Sequence, residues 1–101
     1  MAGADYVWVV PTDHPVFDGH FPGRPILPGA MLLDRAMFFA AMLAGCASGT
    51  WQIGAAKFLA PVGPGTELVF SLVPKSGGTL AFTVRAAGRD VASGTLAPPL
   101  P

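Results

Sequence analysis

The sequence predicts an α+β domain in which a curved antiparallel sheet wraps around one long central helix. Three observations predict it. A short β-branched and aromatic run stands near the start, a single helical stretch follows Pro28, and the chain from Trp51 onward alternates between apolar and small or polar residues across glycine-rich turns. A helix that is apolar on nearly every side cannot face water, and in a chain of 101 residues a wrapped sheet is what can cover it.

Tyr6-Val7-Trp8-Val9-Val10 reads as the first strand, ended by Pro11. Residues 11–29 then carry five prolines and three glycines. A connection that long is uncommon in a compact domain unless it is functional. Its prolines restrict φ, which predicts a rigid scaffold rather than a floppy lid. A helix is expected from about Pro28, since proline suits the first helical position. Met31 to Ala44 are mostly good helix formers, interrupted in polarity only by Asp34-Arg35, and Gly45 or Gly49 can close the helix. Trp51–Ala60 reads as the next strand and Glu67–Pro74 as another. Gly77-Gly78 suits a tight hairpin. Leu80, Phe82 and Val84 alternate along a further strand, Gly88-Arg89-Asp90 turns the chain, and Val91–Leu96 completes a meander. Residues 1–97 are expected to form a single domain, with 98–101 a proline-rich tail that cannot join a central strand.

Composition narrows the function classes. Hydrophobic residues make up 51% of the chain and charged residues 12%, which excludes a disordered chain and leaves little charge to cover a small monomer. A second copy is expected to cover part of the apolar surface. Six basic residues balance six acidic ones with no basic stretch, so nucleic-acid binding has no electrostatic support. The longest apolar run, Ala36–Ala47, has twelve residues where a membrane span needs about twenty, and Met1–Val10 lacks the basic region of a signal peptide. One cysteine, Cys46, gives no internal disulfide. A soluble, cytoplasmic protein is expected.

Four features carry chemistry between residues 14 and 34. Asp34 is a carboxylate among Met31, Leu33, Met37 and Phe38, costly if buried and unpaired; it is either a catalytic acid or part of an exposed Asp34-Arg35 step on the helix's wet edge. His20, between Gly19 and Phe21-Pro22-Gly23, is either a pre-oriented general base or a structural histidine. Gly29 starts the helix, where free N–H groups can hold an oxygen gaining charge, or it is simply a tight turn. His14 reads as structural. A metal held by His14, Asp18, His20 and Asp34 is conceivable by ligand type, but it lacks a recognisable ligand spacing.

Gly19-His20-Phe21-Pro22-Gly23-Arg24-Pro25-Ile26-Leu27-Pro28-Gly29, followed by Leu33-Asp34-Arg35-Ala36, resembles the hallmark segment of the 3-hydroxyacyl-[acyl carrier protein] dehydratases of fatty acid biosynthesis. In that family an acid lies on the helix fourteen residues after the histidine, as Asp34 does after His20. Lys57-Phe58-Leu59-Ala60-Pro61-Val62-Gly63-Pro64-Gly65 and Ala92-Ser93-Gly94-Thr95-Leu96 resemble later segments of the same family. The resemblance implies a hotdog fold and a homodimer with shared active sites. It implies that His20 of one chain takes the C2 proton of a 3-hydroxyacyl thioester and Asp34 of the partner subunit assists departure of the C3 hydroxyl. Gly29 would hold the thioester carbonyl, and Phe21, Pro28, Ala30 and Phe38 would line the substrate site. The substrate would ride on acyl carrier protein or coenzyme A, with Arg24 meeting an acidic carrier. Two departures stand out. Plain dehydratases usually have Glu where this chain has Asp34, and the family commonly has Gln where this chain has Phe38. In length the chain is closer to short dehydratase-like proteins of aryl-polyene and other specialised acyl pathways. A hotdog thioesterase and a non-catalytic acyl-binding subunit are the alternatives, because this fold serves several chemistries.

Overall fold

The computed structural model describes residues 2–13, 15–17, 26–45 and 51–99. Within them the chain forms β1 (Ala4–Val9), a 3₁₀ turn at Pro15–Phe17, α1 (Gly29–Ala44), β2 (Gln52–Phe58), β3 (Glu67–Pro74), a 3₁₀ turn at Ser76–Gly78, β4 (Leu80–Ala86) and β5 (Arg89–Ala97). The five strands make one antiparallel sheet in the order β1-β3-β4-β5-β2. This is the α+β architecture expected of one helix and an antiparallel meander.

Strand alternation decides which side chains face the helix. Register places Tyr6, Phe70, Val84, Ala92 and Phe58 in one row across the sheet, and Ala4, Leu72, Phe82, Gly94 and Ala56 in the next. Leu68, Phe70, Leu72, Leu80, Phe82, Val84 and Leu96 from these inward positions are buried, and Leu32, Ala36, Phe39 and Ala40 of α1 close over them. Phe39 fixes the seat of the helix. Its ring stacks on Tyr6 at 4.7 Å and meets Phe70 edge-on at 5.3 Å, contacts that add about 0.5–1.5 kcal/mol each to the area they bury.

Three details differ from the sequence reading. Pro28 is the N-cap, with φ −59° and ψ 141°, and Gly29 is the first helical residue; Pro28 still supplies a carbonyl, which accepts from the Met31 N–H at 3.0 Å. The last hairpin turns at Ala87-Gly88, so Arg89 and Asp90 belong to β5, where the Arg85 Nε donates to Asp90 Oδ1 at 2.8 Å. The third difference concerns the helix. It covers the sheet with one face only, and Ala30, Asp34, Phe38 and Met42, one turn apart, are exposed along the opposite face. A single copy of this sheet does not surround the helix. Gly45 ends it in the left-handed region at φ 69°, its N–H donating to the Met42 carbonyl.

Strand β2 is exposed along its whole length and forms one border of the sheet. It bulges between Ile53 and Ala55. Next to it, Gly94 of β5 is required by close approach. A β-carbon there would collide with the Ala55 carbonyl oxygen and the Phe82 ring.

Two substitutions test this account of the sheet, read as shifts of the urea midpoint at fixed protein concentration. Gly94→Ala is expected to lose about 1–3 kcal/mol through overpacking. Ala87, held at φ 51° in a two-residue turn with Gly88 at 78°, sits where Asn-Gly is favoured; Ala87→Asn is expected to gain about 1 kcal/mol.

Candidate functional site

The start of α1 is held against the far end of β2 by local bonds. The Leu27 N–H donates to the Val62 carbonyl at 2.7 Å, and the Leu59 N–H donates to Val91 at 2.9 Å. On the other side of the same turn, Val10 and Gly65 bind each other's neighbourhood through Val10 N–H to Thr66 O (2.9 Å) and Gly65 N–H to Val10 O (2.8 Å). Thr66 Oγ1 donates to the Gly63 carbonyl at 2.9 Å and braces the turn. These bonds bring Phe58, Leu59 and Val62 beside Leu27, Gly29 and Ala30, around an apolar cavity of about 570 Å³.

Gly29 is where the backbone comes closest to that cavity's wall. A β-carbon there would stand 2.8 Å from the Phe58 ring, so the absence of a side chain lets the ring lie on the first turn of the helix. The first N–H groups of a helix have no acceptor within it, and those of Gly29 and Ala30 belong to residues lining this cavity. A carbonyl oxygen admitted here would meet the positive end of the helix.

A second cavity, of about 360 Å³, lies one to two turns further along α1, lined by Trp8, Met31, Asp34, Arg35 and Phe38. Asp34 is exposed and makes no hydrogen bond or ion pair with another described residue. Arg35 is half-buried, its guanidinium carbon 4.7 Å from the centre of the Trp8 ring, 5.0 Å from Phe38 and 6.0 Å from Phe39. Phe38 meets Phe39 edge-on at 5.6 Å.

The expected site residues therefore fall into four sets. Gly29 and Ala30 share the first cavity with each other. Asp34 and Phe38 share the second. Pro28 is exposed and caps the helix. His20, Phe21 and Arg24, together with His14 and Asp18, lie outside the described residues. Sequence reasoning missed Phe58, Trp8 and the clamp on Arg35. Phe58 was legible only as part of the Lys57-Phe58 motif, and Trp8 only as a residue of the first strand. Among the described residues, no helix is long and apolar enough to cross a membrane.

The contact between Gly29 and Phe58 can be isolated in a double-mutant cycle followed by urea unfolding. Gly29→Ala is expected to destabilise the native chain. In a Phe58→Ala background it should turn neutral or favourable, by up to about 1 kcal/mol, because alanine is the better helix former.

The family model of the ApeI-like dehydratases matches residues 2–95. Among curated relatives, a 3-hydroxyacyl-[acyl-carrier-protein] dehydratase FabZ of Verminephrobacter eiseniae is 36% identical over 62% of this chain and 49% of its own length. The FabZ of Albidiferax ferrireducens is 34% identical over 76% of this chain and 59% of its own. The chain spans about half the length of the curated relatives it matches. Among solved structures, the dehydratase heterocomplex ApeI:P from Xenorhabdus doucetiae superposes with a TM-score of 0.83 at 24% identity, covering 98% of this chain and 88% of that one. An uncharacterised protein from Erwinia carotovora subsp. atroseptica gives 0.79 at 30% identity, over 97% and 84%. The likeness in structure shows the hotdog fold, and the match over residues 2–95 shows that the chain belongs to the ApeI-like dehydratase family.

Proposed function

We propose that this protein is a 3-hydroxyacyl-[acyl carrier protein] dehydratase, a hydro-lyase that removes water from a 3-hydroxyacyl thioester to give the trans-2-enoyl thioester in fatty acid or related specialised acyl biosynthesis. The observation that carries the reading is the family match over residues 2–95, which spans His20 and Asp34 at the family's spacing. In this reading His20 takes the proton from C2, and the electron pair moves toward the thioester carbonyl, held by the Gly29 N–H. The C3–O bond then breaks while Asp34 gives its proton to the departing oxygen, so the leaving group is water. Ala30, Phe21, Pro28 and Phe38 border the acyl chain. The protons balance within the site, and the step calls for no cofactor or metal.

The proposed working form is a homodimer, with Asp34 of the partner subunit completing the site of His20. Two exposed apolar surfaces support a second copy. On the helix they are Phe38 (53% exposed) and Met42 (55%), in the same stripe as Asp34; on β2 they are Ile53 (42%) and Phe58 (51%), on the helix side of the sheet. A strand bordering a sheet with its apolar side chains bare is a template for pairing. Covering the helix stripe would also take Asp34 out of water and into a site. The carrier, an acidic protein, would meet Arg24. The reading places the enzyme in the cytoplasm.

The test is mass spectrometry of acyl carrier protein, and separately of coenzyme A, loaded with 3-hydroxyacyl or 2-enoyl chains. Loss or gain of one water on the intact thioester is the expected result, and release of the acyl group would make the protein a thioesterase instead. His20→Ala and Asp34→Asn are each expected to lower turnover by at least about 10²–10⁴-fold while the dimer persists on size exclusion. Ile53→Glu and Met42→Glu, which place a charge on each bare surface, are expected to shift the dimer toward monomer and to lose activity with it. Full activity in a dimeric Asp34→Asn variant would overturn the assignment.

A further inference from the structure

Among the described residues no carboxylate lies within ion-pairing distance of Arg35, yet its side chain is held in place. Its guanidinium lies against Trp8, Phe38 and Phe39 at 4.7, 5.0 and 6.0 Å. The ion pair formed among the described residues joins Arg85 and Asp90 at the far hairpin and leaves Arg35 out. A guanidinium is planar, weakly hydrated for a cation and rich in N–H donors, so ring faces can hold it while its edge remains free to bind. The side chains around it come from two elements: Trp8 from β1, and Met31, Asp34 and Phe38 from α1. Asp34 and Arg35 are the charged groups of that lining, and both open into the same cavity of about 360 Å³. Asp34 has no hydrogen bond from another described residue, and the residue one turn beyond it, Phe38, has no donor to offer.

We propose that Arg35 is the positioning residue for Asp34, a fixed cation in the wall of the same pocket whose field stabilises the carboxylate formed when the Asp34 proton leaves. The proposal rests on the reading of Asp34 as the acid of the dehydration. In that step the Asp34 O–H bond breaks as the C3–O bond breaks, water departs, and a full negative charge remains on Asp34. Charge that develops during the step is where a preorganised cation contributes most, because the interaction strengthens from the ground state to the transition state. Phe38 and Trp8 act one step further out, as the clamp that keeps the guanidinium at the wall.

The test compares the full-length protein with Arg35→Met, Arg35→Ala and Asp34→Asn, all checked for assembly by size exclusion. Arg35→Met is expected to lower kcat by roughly 10- to 100-fold while leaving KM within about twofold, and millimolar methylguanidinium is expected to restore part of the activity of Arg35→Ala. A merely structural arginine would give neither the kcat-only loss nor the rescue. The clamp has its own signature: the Arg35 side-chain proton resonances should be shifted upfield by the rings, and Phe38→Leu should return them toward the random-coil position. The inference is overturned if Arg35→Met keeps kcat within twofold, if its effect falls on KM alone, if methylguanidinium restores nothing, or if the Arg35 resonances are unshifted. An inactive Asp34→Asn beside a normal Arg35→Met removes this inference and leaves the dehydratase reading standing; an active Asp34→Asn removes both.

Discussion

The seating of one ring, Phe39, sets the arrangement of everything that bears on function. Stacked on Tyr6 and edge-on to Phe70, it decides which face of α1 lies on the sheet. In a helix, a residue five positions earlier lies about 140° around the axis, so seating Phe39 inward turns Asp34 outward. Phe38, adjacent in sequence, is carried to the flank, where it reaches both Asp34's cavity and the guanidinium of Arg35. Rotating the helix to bury Phe38 and Met42 would expose Phe39 and Ala36 and uncover Phe70. The free face is thus the cost of a well-packed inner one, and it is the face on which Asp34 sits.

The sheet imposes the complementary constraint. Gly94 lets β2 draw close to β5, over the Phe82 ring, and the row containing Tyr6, Phe70, Val84 and Ala92 ends on Phe58. Phe58 therefore arrives on the helix side of the sheet, where Gly29 receives its ring. Neither glycine is free to become another residue without moving a neighbour. The helix start and the border strand are consequently one unit: a change in the path of β2 moves the wall of the cavity that Gly29 and Ala30 line.

Much of this was legible in the sequence, and the reasons are physical. Alternation in Leu80-Ala81-Phe82-Thr83-Val84 and β-branching in Tyr6–Val10 gave the strands, because a pleated half-buried surface tolerates little else. Proline gave the start of α1 to within a residue, and Gly45, one of the two glycines that could close the helix, ends it. The turn at Ala87-Gly88 was misplaced because alanine gives no signal for a positive φ; Gly88 marked the region and only the pairing of Arg85 with Asp90 fixed the frame. The helix was read as buried on most sides because its sequence is apolar on most sides. That inference counted residues and assumed one chain, whereas Phe38 and Met42 are bare in this chain. His20, Phe21 and Arg24 were named from motif alone, and they lie outside the described residues.

Arg35 shows what pattern reading cannot supply. In the sequence it is one of six basic residues and half of a polar step on an apolar helix, with nothing to distinguish it from a solubilising charge. Its partners stand 27 residues earlier on β1 and three and four residues later on α1, and only the register of β1 against β3 brings Trp8 over the helix flank. Among the described residues the guanidinium is held by rings and by no carboxylate, which leaves its N–H edge available to another group. The carboxylate of Asp34, one position earlier on the helix, opens into the same cavity.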